Sequence, residues 1–166
     1  LCTYVPQSDI LCPTQTVEEA LLFYANLKLP KLSLEKQRKR VNYLINVLHL
    51  DKCRNNLIGD EKKRGISGGE KRRVSIAAEI LNETDIIFLD EPTSGLDAYT
   101  AARTIKTLKQ FCSVSNKTII ATIHQPAVEV FYLFDKLILL SHGQCCFNTF
   151  TEDINEYFKV CQNPKN

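Results

Sequence analysis

A chain of 166 residues, 44% hydrophobic and 24% charged, has ordinary globular composition and room for one domain with a small subdomain. That excludes a disordered, collagenous or coiled-coil chain, and a length of this order buries about 68–70% of its unfolded surface, enough for a core without metals or disulfides. With 21 Lys and Arg against 19 Asp and Glu the net charge is +2, so no partner held by a strongly basic or acidic surface is expected.

The chain has no Met and opens on Leu1-Cys2-Thr3-Tyr4-Val5, which reads as the middle of a strand and as a piece of a longer protein. Thr16, followed three residues later by Glu19 and by Ala20, Leu21, Leu22, Tyr24 and Ala25, predicts a capped helix that Pro30 ends. Ser33 can cap a second helix, with Val41, Leu44, Ile45 and Leu48 at helical spacing and Arg38, Lys39 and Arg40 facing water. A polar connector with Asn55, Asn56, Gly59 and a charged run over 61–64 leads to Gly65-Ile66-Ser67-Gly68-Gly69, and 70–81 reads as a third helix.

Short apolar runs then alternate with amphipathic stretches, the pattern of parallel strands joined by crossover helices. Strands are predicted over 86–90, 118–123 and 136–140, with helices over 99–111 and 128–134 between them. Ser141-His142-Gly143-Gln144 reads as a hairpin turn into a strand over 145–147, and 152–159 as a terminal helix. The seven cysteines are odd in number and form no Cys-x-x-Cys pair, so neither a disulfide framework nor a zinc site is indicated and a reducing setting is expected. The longest apolar runs, 86–89 and 137–140, fall far short of the roughly 18–20 residues of a membrane span.

Candidate chemistry begins at Asp85-Ile86-Ile87-Phe88-Leu89-Asp90-Glu91-Pro92, read as a buried strand that ends in adjacent carboxylates and is stopped by Pro92. Strand ends are where α/β proteins build sites. Asp90 is a candidate ligand for a hard cation such as Mg²⁺, and Glu91 for orienting or deprotonating a water. A strand-terminating acidic turn explains the same pair without chemistry. Ser67-Gly68-Gly69 opens a helix, and its glycines let backbone amides approach an anion near the positive end of the helix dipole; a plain helix cap is the alternative. Ser94-Gly95-Leu96-Asp97 follows the carboxylates, and His124 precedes Gln125-Pro126 after the next strand.

Together these runs resemble the ATP-binding cassette ATPases. Ile66-Ser67-Gly68-Gly69-Glu70 resembles their signature sequence, and 86–91 their Walker B strand with its catalytic carboxylate. Ser94-Gly95-Leu96-Asp97 resembles the D-loop, His124 the switch histidine, and Gln7 in Tyr4-Val5-Pro6-Gln7 the Q-loop glutamine. Lys71-Arg72-Arg73-Val74-Ser75, Thr122-Ile123-His124-Gln125-Pro126 and the run over 131–141 resemble the G subfamily of half-transporters, the white-type pigment and sterol exporters. The tail segment over 143–148 departs from that family's usual sequence.

The resemblance implies an α/β P-loop NTPase fold of RecA-like type, represented by the C-terminal half of its parallel-sheet core plus an α-helical subdomain. That subdomain would span 8–82, the back half of the ATPase core 83–147 and a tail helix 148–166. No Gly-x-x-x-x-Gly-Lys-[Ser/Thr] occurs, so the Walker A portion is expected upstream and the chain alone is expected neither to bind ATP well nor to hydrolyse it. By the same resemblance two cassettes form a head-to-tail sandwich around ATP and Mg²⁺. Gln7 and Asp90 would serve the metal, Glu91 would be general base and His124 would contact the γ-phosphate. Ser67, Gly68, Gly69 and Glu70 would face the partner's nucleotide, and Asp97 would connect the two sites.

The implied function is an ATP-hydrolysing module that powers a membrane exporter of lipid, sterol, pigment-precursor or xenobiotic substrates. Its partners would be a second nucleotide-binding domain and the transmembrane domain of the same parent chain, with the cassette on the cytoplasmic face. Residues 8–13 and the helix from Thr16 are then candidate contacts to that domain, although Ile10, Leu11 and Leu21 serve equally as subdomain core. Two alternatives are a truncated, non-catalytic cassette and a soluble cassette ATPase acting on nucleic acid. The small net charge and the interleaving of basic residues with acids argue against nucleic acid.

Overall fold

The computed structural model describes residues 2–60 and 62–154, in two compact units, Leu1–His124 and Gln125–Asn166. The first unit contains, in order, β1 (Cys2–Val5), α1 (Val17–Lys28), α2 (Leu34–Val47), a 3₁₀ turn (Asp51–Cys53), α3 (Gly68–Glu79), β2 (Ile86–Leu89), α4 (Ala98–Ser115) and β3 (Thr118–Ala121).

Local chemistry sets the helix starts. Thr16 Oγ1 accepts the Glu19 N–H at 3.3 Å while Glu19 returns a carboxylate oxygen to the Thr16 N–H at 2.8 Å, closing the predicted capping box. The helix stops at Lys28, and the Leu29 N–H makes the last bond, to Ala25, before Pro30. Ser33 caps α2, whose inward side carries Val41, Leu44 and Ile45. Gln37 is buried with them and donates to the carbonyls of Leu29 and Leu32, which ties the α1–α2 connection to the helix.

Helix α3 begins at Gly68, two residues ahead of the sequence expectation, because Ser67 and Glu70 form a second capping box. It packs against α1, α4 and β1 and is nearly enveloped, so that Arg72 and Arg73 are buried along with Val74, Ile76 and Ala77. Asp97 caps α4 one residue earlier than expected, and the helix runs on to Ser115, where Asn116 takes the left-handed conformation (φ 52°).

The three strands form a parallel sheet in the order β1-β2-β3, with Val5, Leu89 and Ala121 in register at its carboxyl edge. The expectation of a buried β2 holds for one face only. Side chains alternate, so Ile87 and Leu89 are buried with Val5, while Ile86, Phe88, Tyr4 and Ile120 stand exposed on the opposite face.

The second unit comprises a one-turn helix, α5 (Val128–Phe131), and strands β4 (Lys136–Ser141) and β5 (Gln144–Phe150), followed by a 3₁₀ turn (Thr151–Asp153). The strand expected over 136–140 as a further parallel strand instead pairs antiparallel with β5 in a two-stranded sheet of its own. Its turn explains this: His142 (φ 50°) and Gly143 (φ 76°) are both left-handed, the type I′ geometry that joins antiparallel neighbours. Strand β5 is longer than the expected 145–147 because Lys136 pairs with Phe150 across the full ladder, the cation lying over the ring at 4.9 Å. The predicted terminal helix falls mostly beyond residue 154, outside the described residues.

Candidate functional site

Three parallel strands ending in register bring the residues that follow them to one edge. The Asp90 N–H bonds the Val5 carbonyl at 3.0 Å and the Thr122 N–H bonds the Leu89 carbonyl at 3.0 Å, so Asp90 and Thr122 lie next to each other just past the sheet. Asp90 Oδ1 accepts the Thr122 hydroxyl at 2.6 Å, and Oδ2 accepts the Tyr4 phenol at 2.9 Å. Those donors, Thr122 first and Tyr4 second, hold the Asp90 carboxyl below the ordinary range, and the same bond pushes the Tyr4 phenol up.

Glu91 follows with φ 40°, left-handed backbone that a non-glycine residue rarely takes and that recurs at functional sites. Two bonds hold it there. Its N–H donates to Thr122 Oγ1 at 3.0 Å, and its carboxylate accepts Gln7 Nε2 at 2.7 Å. Gln7 Nε2 also reaches Ser94 Oγ at 3.2 Å. Residues separated by 84 positions in sequence are thereby joined through one amide.

The signature residues lie at the N-terminus of α3. Ser67 and Gly68 are exposed; Gly69 is buried, and a Cβ placed on it would lie 2.3 Å from Thr100 Cγ2 of α4. A Cβ on Gly68 would come within 3.5 Å of Leu96 Cδ2, so the signature and the segment ending in Asp97 are neighbours. Burial opposes ionisation of Glu70, but the bonds from Ser67 together with the charge of Arg73 outweigh it and bring the carboxyl below its usual range. Asp97 is exposed, caps α4 through the Thr100 N–H at 3.0 Å, and is held low by Thr100, its side chain first and its N–H second.

The structure therefore joins Gln7, Asp90 and Glu91 in one cluster and sets Ser67, Gly68, Gly69 and Glu70 beside Asp97 in another. His124 stands exposed three residues past β3, and among the described residues no hydrogen bond links it to Gln7, Asp90 or Glu91. Sequence reasoning missed Tyr4 and Thr122 as partners of the carboxylate residues and Ser94 as a partner of Gln7. It also missed Arg72, whose guanidinium donates to the carbonyls of Pro6, Gln7 and Asp90 and to the Asp9 carboxylate. Only strand register reveals the first three, and only the packing of α3 on β1 reveals the last. Asp9, a candidate external contact, thus has an internal partner; Ile10 is 75% exposed, whereas Leu21 is fully buried and serves the core.

A parallel α/β sheet with paired carboxylates at its carboxyl edge defines a strand-end site of the kind that handles phosphates and a hard cation. Residues 2–94 match the ABC transporter family. The chain is 46% identical over 163 residues to ABC transporter G family member 1 of Dictyostelium discoideum, covering 96% of this chain and 20% of that protein. Among solved structures it shares the fold of cbiO1 from Clostridium perfringens, part of the ABC transporter complex cbiONQ, with a TM-score of 0.78, 22% identity and coverage of 97% of this chain and 61% of that one. It also resembles a dimeric ATP-binding cassette in a post-hydrolysis state bound to ADP and Pi, with a TM-score of 0.67, 26% identity and coverage of 90% and 62%. The chain belongs to the ABC transporter family, as part of a G-type cassette. It spans about a fifth of the length of that G-family relative.

Proposed function

We propose that this chain is the part of an ATP-hydrolysing cassette that runs from the Q-loop to the end of the domain, and that it powers export by a G-type half-transporter. The observation that carries this reading is the 2.7 Å bond from Gln7 to Glu91 beside Asp90 at the carboxyl edge of the sheet. Glu91 is the general base: it accepts a proton from a water whose oxygen attacks the γ-phosphorus of ATP, the bond to the bridging oxygen breaks, and ADP and phosphate result. Gln7 orients Glu91, and Thr122 supports both carboxylate residues.

The residues present fit Mg²⁺. Asp90 is kept ionised by two hydroxyl donors, and the groups around it, the hydroxyls of Thr122 and Tyr4 and the Glu91 carboxylate, are oxygen atoms of the kind a hard cation takes. That is the sparse protein contribution Mg²⁺ needs when phosphates complete its shell. Asp90 and Gln7 would hold it, and when bound it would offset charge on the phosphate oxygens.

Ser67 and Gly68, exposed at the N-terminus of a 12-residue helix with Glu70 behind them, would meet the γ-phosphate of a nucleotide held by a second cassette. Gly69 contributes the close approach of α3 to α4. Asp97 would connect the two sites across the dimer, and His124 would contact the γ-phosphate in its own site. The second nucleotide-binding domain and a transmembrane domain of the same parent are the partners, with the cassette on the cytoplasmic face. No described helix is itself long and apolar enough to cross a membrane. A nucleic-acid substrate is disfavoured because the net charge is only +2 and the basic residues are interleaved with acids.

The test is Glu91→Gln in the full-length protein. Turnover falls by about 100-fold or more while ATP binding persists. Wild-type turnover in that variant would overturn the assignment.

A further inference from the structure

The cluster at the sheet edge is fastened by a residue that the proposed chemistry does not use. Arg72 lies on α3 with its side chain 4% exposed. Its Nη1 donates to the carbonyls of Pro6 at 2.7 Å and Gln7 at 3.0 Å and to Asp9 Oδ1 at 3.0 Å; its Nη2 donates to the carbonyl of Asp90 at 2.8 Å. One guanidinium thus spans the segment after β1 and the end of β2.

That segment needs such a fastener. Pro6 has no N–H to continue the ladder of β1, and from there to the start of α1 the chain is irregular. Gln7 must nevertheless place Nε2 2.7 Å from the Glu91 carboxylate. The planar fork of arginine supplies donors in fixed directions to several acceptors at once, which the single ammonium of lysine cannot reproduce. Asp9 balances the buried charge.

We propose that Arg72 is a positioning residue for Glu91: by locking residues 6–9 to the end of β2 it holds Gln7 in bonding distance of the general base. This rests on the assignment of Glu91 as general base.

The test measures kcat and KM for ATP, and the stoichiometry of ATP binding, in the full-length protein and its Arg72→Lys, Arg72→Met, Asp9→Asn, Gln7→Ala and Glu91→Gln variants. Arg72→Lys lowers kcat about tenfold and Arg72→Met more, since a small misplacement of a catalytic group costs up to about 100-fold. KM and binding stoichiometry stay near wild type. Asp9→Asn, which keeps the backbone contacts, has a smaller effect in the same direction. In a Gln7→Ala background Arg72→Lys has no further effect, because both changes remove the same link.

Wild-type kcat in Arg72→Lys overturns the proposal. So does a fall in kcat matched by an equal fall in binding stoichiometry, or full additivity with Gln7→Ala, either of which marks a structural role. If Arg72→Met does not fold, the lysine and Asp9 variants decide. Normal turnover in Glu91→Gln would instead refute the general-base assignment; its collapse beside unaffected Arg72 variants removes only the positioning role.

Discussion

The hydroxyl of Thr122 donates to Asp90 Oδ1 at 2.6 Å, and the same oxygen accepts the Glu91 N–H at 3.0 Å. A single side chain just past the end of β3 therefore orients one carboxylate and holds the backbone of the next in its left-handed turn. Neither carboxylate residue is positioned by its own strand alone.

Thr122→Val keeps the shape and removes the hydroxyl. The Glu91 N–H is left without its partner and Asp90 loses one of its two hydroxyl donors, so the Asp90 carboxyl moves back up toward its ordinary range. In the full-length protein kcat falls roughly tenfold, in line with the misplacement of a catalytic group. Thr122→Ser retains the oxygen and most of the rate. Steady-state ATPase assays of both variants check this, and equal rates in the two would refute it.

Gly69 is a packing requirement that can be tested by compensation. A methyl added there meets Thr100 Cγ2 at 2.3 Å, too close for any real contact, whereas the next neighbours, Arg73 Nη1 at 3.6 Å and Thr104 Oγ1 at 3.7 Å, leave ordinary room. Gly69→Ala therefore destabilises by about 1–3 kcal/mol through overpacking, outweighing the gain of up to about 1 kcal/mol from alanine's helix propensity. Thr100→Ser removes the offending methyl and keeps its own N–H on Asp97, so the double variant recovers most of the loss. Chemical denaturation of the four proteins measures the coupling.

Thr16→Ala removes the cap of α1 and costs about 1 kcal/mol of stability. The Glu19 half of the box, held first by the Thr16 backbone N–H and second by its hydroxyl, has a defined pH window. Glu19 is held below its ordinary value by its bonds with Thr16, so that contribution is fully present above the ordinary glutamate range and is lost as pH falls through the depressed value. A Glu19→Gln variant and the parent should therefore differ most near neutral pH and converge in acid, whereas Thr16→Ala keeps the backbone N–H that lowers Glu19 most. Denaturant midpoints between pH 7 and 3 provide the comparison; a gap that widens on acidification would contradict it.

Much of the local architecture was legible because it depends on neighbours in sequence. Thr16 with Glu19, Ser33 ahead of α2 and His142-Gly143 between two strands each satisfy backbone groups or turn angles within a few residues, whereas the equally local capping box of Ser67 with Glu70 and the cap at Asp97 were missed, so α3 and α4 begin earlier than expected. The motifs were readable for the same reason, since Ser67-Gly68-Gly69 and Asp90-Glu91 are contiguous.

What joins those motifs was not legible. Tyr4, Thr122 and Arg72 carry no local mark, and their roles exist only once β1, β2 and β3 lie in register and α3 is packed beneath them. The one-sided burial of β2 was hidden as well, because an apolar run reads the same whether one face or both are covered. The sequence alone determined the caps of α1 and α2, the hairpin turn and the candidate site residues, through patterns spanning a few residues. The tertiary structure decided which distant side chains hold Gln7, Asp90 and Glu91 together, because those bonds close loops of 30 to 90 residues that no local pattern records.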